Sequence, residues 1–220
     1  MRNRRLLILM LTIMIPALYA CGGGGHHHDD GPPPSYAADI LSDQFSDGDI
    51  AYYPADNYYD ITQGPDVLFF GIDDDVWDNP PEYRAFLDFP LDGATGYDAV
   101  PSGARILSAT LEIFIDTVEF DATVPTLIEL VSYTSGSLQA YDFSSEPLAE
   151  ISLSLDFFRS DVDNYVSIDV TPLMREAQRL GLLDLQLRFV LDYEAIYGFV
   201  GIQDPPTLAI RAPLLSVVYE

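Results

Sequence analysis

Ile106-Leu107-Ser108-Ala109-Thr110-Leu111-Glu112-Ile113-Phe114-Ile115-Asp116-Thr117-Val118 places Ala109, Leu111, Ile113 and Ile115 on one side and Thr110, Glu112 and Asp116 on the other. A repeat of two is that of an extended strand with one face in a core and the other in water. Tyr83 to Leu91 repeats the pattern through Ala85, Leu87, Phe89 and Leu91, so both stretches read as half-buried strands. The same period returns in Ile151, Leu153 and Leu155, in Val166, Ile168 and Val170, in the odd positions from Leu183 to Leu191, and in Leu215, Val217 and Tyr219. Strands joined by Gly, Pro, Asp and Ser loops, with little helical spacing, predict two antiparallel sheets packed face to face. The expected class is all-β: an antiparallel β-sandwich of jelly-roll type over residues 36–220. One short helix is expected near 172–180, with Thr171 as its cap and Pro172 in its first turn. Leu173, Ala177 and Leu180 form its apolar stripe, Gly181 ends it, and Arg175 and Arg179 on its outer side read as partners for surface carboxylates.

The first residues carry a different signal. Arg2, Arg4 and Arg5 precede an apolar run, Leu6 to Tyr19, that is shorter than the roughly 20 residues a spanning helix needs. Leu18-Tyr19-Ala20-Cys21 resembles a lipobox, which implies cleavage of residues 1–20 and lipid on Cys21. Several acyl chains on one residue, at about 0.8 kcal/mol per buried CH2, hold a domain firmly at a membrane. Gly22 after the cysteine leans toward the outer membrane, so the expectation is an exported lipoprotein facing the periplasm or the cell surface. Residues 21–35, rich in Gly, His, Asp and Pro, read as a flexible tether.

Composition excludes several classes of chemistry. Without residues 1–20 the chain keeps seven Arg, no Lys and all 35 acidic residues, a formal charge of −28. Such a surface repels phosphate backbones, so no nucleic-acid partner is expected. The histidines are His26 to His28 and the only cysteine is Cys21, all ahead of the domain. A Ser-His-Asp triad, a Cys-His pair, a Lys Schiff base and a Cys/His zinc site therefore have no candidates within it. Carboxylates are abundant, but no spacing picks out the acid pair a glycosidase needs.

Five strings carry a resemblance. Val67-Leu68-Phe69-Phe70-Gly71, Tyr83 to Leu91, Val100-Pro101-Ser102-Gly103-Ala104-Arg105 running on to Ile113, Val166 to Leu173, and Ala212 to Tyr219 resemble, in that order, the DNRLRE-type domain of bacterial and archaeal surface proteins. That family includes disaggregatase-related domains and family-96 carbohydrate-binding modules. The resemblance implies a non-catalytic jelly-roll sandwich that binds extracellular polysaccharide or serves as a building block. Tyr133 to Glu146 departs from it, having no Trp where relatives carry a Trp-rich stretch.

Sugar rings stack on aromatic faces while carboxylates, amides and Arg bind their hydroxyls. Tyr52, Tyr53, Tyr58 and Tyr59 with Asp56 and Asn57, and Trp77 with Tyr83, offer that mixture, and Tyr193 and Tyr197 follow later. A glycan platform requires Tyr52, Tyr53, Tyr58, Tyr59 and Trp77 to be exposed on one shared concave face. A neutral polysaccharide suits so acidic a chain better than a polyuronate. The alternative is an envelope scaffold that contacts another protein without glycan specificity, and a hydrolase or lyase ranks third. Asp73, Asp75 and Asp78 group hard oxygens of the kind calcium takes, without EF-hand spacing, and suggest a structural Ca2+ in that loop. Asp39, Asp43, Asp47 and Asp49 are further acids of the same type. Arg84 is expected to pair with a nearby carboxylate.

Overall fold

The computed structural model describes residues 33–96, 98–192, 197–205 and 210–220. The leader, Cys21 and the His triplet lie outside the described residues, as does Tyr193. Pro34–Glu220 forms one compact unit. No helix among the described residues is long and apolar enough to cross a membrane.

Among the described residues the chain is all-β with one short α-helix. The strands are β1 (Tyr36–Leu41), β2 (Gly48–Tyr53), β3 (Tyr58–Gln63), β4 (Val67–Ile72), β5 (Glu82–Pro90), β6 (Ile106–Glu119), β7 (Thr123–Leu130), β8 (Leu153–Phe158), β9 (Tyr165–Asp169), β10 (Asp184–Leu191), β11 (Gly198–Gln203) and β12 (Leu214–Tyr219). Helix α1 spans Thr171–Leu180. The strand pairings are antiparallel and follow the order β1-β12-β6-β11-β4-β5-β10-β7-β8, with β3 on β2, β2 on β5 and β9 on β6.

Two strands make this sheet fork and curl. Residues 110–112 of β6 pair with both β9 and β12, and Phe114 pairs with both β9 and β11, so β11 and β12 share one edge of β6 end to end. At β5, Tyr83 and Glu82 meet β4 while residues 85–90 meet β10, and β2 takes the opposite edge. The expected two sheets are thus branches of one curled sheet, folded about a core that includes Phe70, Leu87, Leu111, Ile113, Leu187 and Phe189.

Ala109, Leu111, Ile113 and Ile115 of β6 all point inward, as the alternation predicts. The pattern changes parity beyond them, because Ile106 and Val118 also face the core. Pairing skips Leu107 at one end and Asp116 at the other, and each extra residue turns the next side chain over.

β5 corrects the expectation of a half-buried strand: residues 85–90 are buried on both faces, as are residues 185–190 of β10. The outer face of this pair is covered by the segment 131–145. Tyr133 N–H donates to Gln186 Oε1 at 2.8 Å, the Ser135 hydroxyl donates to Asp88 Oδ2 at 2.7 Å, and Arg188 Nη1 donates to the carbonyls of Asp142 and Phe143 at 2.9 and 3.0 Å. Polar side chains that alternate toward solvent in the sequence instead hold down a backbone.

Helix α1 starts where expected but is capped differently. Asp169 Oδ1 accepts the Thr171 N–H at 3.0 Å, while the Thr171 hydroxyl takes the Ala109 N–H at 2.8 Å and pins the helix to β6. The Thr171 hydroxyl first, and then its N–H, hold the Asp169 carboxyl below its usual range. Met174 rather than Leu180 completes the buried stripe, and Gly181 ends the helix with φ 68°. Arg179 pairs with Glu176 at 2.6 Å, whereas Arg175 binds the carbonyls of Ile106 and Leu107 and not a carboxylate.

Candidate functional site

The four tyrosines belong to a hairpin. β2 and β3 pair Tyr52 with Tyr59 and Tyr53 with Tyr58 across a turn at residues 54–57, where Asn57 adopts φ 49°, a conformation Asn tolerates. Neighbouring residues on a strand point to opposite faces, so the two pairs lie on opposite sides of the hairpin.

Tyr52 and Tyr59 turn toward the covering segment. Their rings are 4.7 Å apart, and each lies near Phe143, at 5.7 and 5.5 Å between centroids. Beneath them Ile50, Phe86, Val131, Tyr133 and Leu138 form a small second core. Arg84 lies 4.0 Å over Phe143, donates from Nε to Glu82 Oε1 at 2.8 Å, and reaches the Phe143 carbonyl with Nη1 at 2.6 Å. Its expected carboxylate partner is therefore Glu82, and its work is structural.

Tyr53 and Tyr58 occupy the other side, 6.0 Å apart, with Tyr58 exposed and Tyr53 half-buried. Tyr83 packs edge-on to Phe69 and Phe199, which stack at 4.8 Å. Burial first, and then the neighbouring Tyr53, push the Tyr83 phenol above its ordinary range. Trp77 is 85 % exposed in the loop between β4 and β5. That loop is tied to the hairpin turn by Asn79, which accepts the Ala55 N–H at 3.0 Å and donates to Asp56 Oδ2 at 3.0 Å. The five rings do not share one face: Tyr52 and Tyr59 pack inward, and Trp77 and Tyr58 are the exposed members at the hairpin end. Tyr52 and Tyr59 stay half-buried there, so the five rings divide between two sides of the hairpin. Tyr197 is 49 % exposed.

In the acidic loop, Asp73 Oδ1 accepts the Asp75 N–H at 3.0 Å, a local turn contact, and Asp75 and Asp78 face solvent. Among the described residues no three or more His, Cys, Asp or Glu side chains are gathered as a metal cage.

No protein-family model matches this chain, and no curated protein matches it.

The acids that stand out structurally are the buried ones: Asp47, Asp49, Asp88, Asp142 and Asp204. Asp49 Oδ2 accepts the Phe69 N–H at 3.0 Å, linking β2 to β4, and burial pushes its carboxyl up to about 7. Sequence carries one cue for such a residue in Asp88, an acid enclosed by Phe86, Leu87 and Phe89. Asp47 and Asp204 sit in loops whose composition gives no hint of burial.

Proposed function

We propose that this chain is a non-catalytic, lipid-tethered β-sandwich of the cell envelope that holds a partner rather than transforming one. The resemblance to DNRLRE-type domains and the lipobox around Cys21 support the location and the passive role. The single observation that ranks the readings is the inward turn of Tyr52 and Tyr59 onto Phe143. It draws two of the five candidate rings into half-buried packing, which supports the reading that needs no shared aromatic face, an interaction module for another envelope protein.

Glycan binding is the second reading, confined to the hairpin end. Trp77 at 85 % and Tyr58 at 55 % exposure stand there with Asp56 and Asn57, and a neutral sugar could stack on the rings and bond to the acceptors. Trp77 is the only tryptophan, so its fluorescence reports on that spot alone. Titration of the full chain with a panel of neutral oligosaccharides is expected to leave Trp77 emission unchanged. A saturable shift abolished by Tyr58→Ala refutes the interaction reading in favour of glycan binding.

A further inference from the structure

Asp47, from the loop before β2, and Asp204, from the loop after β11, are 0 % and 1 % exposed and set their carboxyl groups against each other. One oxygen of each is satisfied. Asp47 Oδ1 accepts the Asp88 N–H at 2.6 Å, and Asp204 Oδ1 accepts the Ser42 hydroxyl at 3.4 Å. The other oxygen of each, Oδ2, meets no N–H or hydroxyl donor, and neither does Asp88 Oδ1, so the Asp47 and Asp204 carboxyls have only a proton shared between them to satisfy the pair. The Tyr133 hydroxyl, a non-acidic group from the covering segment, is also buried and unpartnered. After burial itself, the influences raising its phenol are Asp47 and Asp88, so it sits beside the same acids. Buried polar atoms are nearly always satisfied, and four that are not, in one neighbourhood, mark a place for something that is not protein.

Charge points the same way. The sequence has no Lys, and residues 33–220 contain no His. All seven Arg of the domain are engaged elsewhere: Arg84 with Glu82, Arg105 with Glu220, Arg159 with the Asp121 carbonyl, Arg175 with β6 carbonyls, Arg179 with Glu176, Arg188 with Glu129 and Arg211 with Gln203. Among the described residues no side-chain cation pairs with these acids; burial first raises both carboxyls above their ordinary range, Asp204 to about 7, so near neutral pH the pair retains a proton that a bound cation displaces. A surface pocket of about 460 Å³, lined in part by Ser42, Asp43, Gln44 and Thr95, reaches Asp204, with Asp47 behind it.

We propose that Asp47 and Asp204 bind one calcium ion through their unpartnered Oδ2 atoms, with the Ser42 hydroxyl and water from the pocket completing its shell. The donors are hard oxygens, and calcium accepts an irregular shell of six to eight of them where magnesium demands a near-ideal octahedron. With two carboxylates rather than three or more, affinity falls in the weak range of extracellular modules, on the order of 10⁻⁴ to 10⁻³ M. Asp88, Asp43 and Tyr133 surround the ion as outer partners. This site is distinct from the Asp73–Asp78 loop and does not depend on what the hairpin end binds.

The test is thermal unfolding of the full-length chain in detergent, stripped with EDTA and titrated near neutral pH with CaCl2, MgCl2 or NaCl of equal ionic strength. The expected result is a saturable rise in Tm with calcium, a much smaller one with magnesium, and none with sodium, because a ligand of the folded state alone stabilises by mass action. Asp204→Asn keeps an oxygen for Ser42 and removes one buried charge. It is expected to melt no lower than the parent in EDTA and to lose the calcium response, while Asp75→Asn keeps it. If Asp204→Asn does not fold, Ser42→Ala serves, with a several-fold higher calcium midpoint expected by titration calorimetry. An absent calcium response, leaving only a proton shared by the pair, overturns the proposal. So does a response that survives Asp204→Asn or disappears in Asp75→Asn.

Discussion

Arg188 is the residue on which the covering segment depends. It is 3 % exposed, meets Glu129 Oε2 with Nε and Nη2 at 2.9 and 2.7 Å, and spends Nη1 on the carbonyls of Asp142 and Phe143 and the Ser145 hydroxyl. Arg188→Met keeps the aliphatic stem and removes the charge. The two carbonyls retain other donors, from Ser145 and Arg84, so the loss centres on Glu129, whose side chain is 14 % exposed. Breaking a buried pair costs about 3–5 kcal/mol because one charge is stranded. The partial exposure of Glu129 places this case near 3 kcal/mol, a large share of the about 5–15 kcal/mol that holds a domain folded. Urea unfolding followed by far-UV circular dichroism at neutral pH measures it. Arg188→Met/Glu129→Leu, which leaves no stranded charge, is expected to recover at least half of the loss. A single variant within about 1 kcal/mol of the parent, or a double variant as unstable as the sum of both single ones, refutes the reasoning.

Phe70→Ala empties the space between Phe157 and Phe189, whose rings lie 5.4 and 5.5 Å away, and should cost about 3–5 kcal/mol in urea unfolding. Gly71 has φ 101°, and a Cβ there would run into the Gly198 carbonyl oxygen. Gly71→Ala should therefore cost about 2 kcal/mol or more, seen as a lowered Tm, through left-handed strain and a broken β4–β11 contact. Asp169→Ala removes the cap of α1 at a cost of about 1 kcal/mol at neutral pH. Because the Asp169 carboxyl is held below its unfolded value, its stabilisation is present above that value and vanishes as pH falls through the folded one. Parent and variant should thus converge in acid, as urea midpoints measured down the pH scale will show.

Strands with one wet face were legible from alternation, and β6, β9 and β12 lie where the period of two places them. Hidden from it was burial created by distant chain. Gln186 and Arg188 have the spacing of solvent-facing residues, and only the return of residues 131–145 across β10 makes them interior. Aromatic clustering was misleading for a related reason. Tyr52-Tyr53 and Tyr58-Tyr59 are adjacent in sequence, but a strand sends neighbours to opposite sides, and Phe143, some 85 residues on, decides which side is covered. That segment is also the one without the Trp of the resembled family, and Tyr133, Leu138 and Phe143 fill its contact surface instead. Asp88 alone among the buried acids had a cue, in its apolar neighbours; the pairing of Asp47 with Asp204 had none, because they are 157 positions apart and only the curl of the sheet unites them.

The two surplus residues in β6, Leu107 and Asp116, flank the inward series from Ala109 to Ile115 like stops on a rail. Sliding β12 or β11 by one position would turn an entire face outward and would also drive regular pairing into one of these kinks. The longest strand therefore indexes its partners by itself, and changes of chain length in its neighbours are absorbed in the connections rather than by slippage along it.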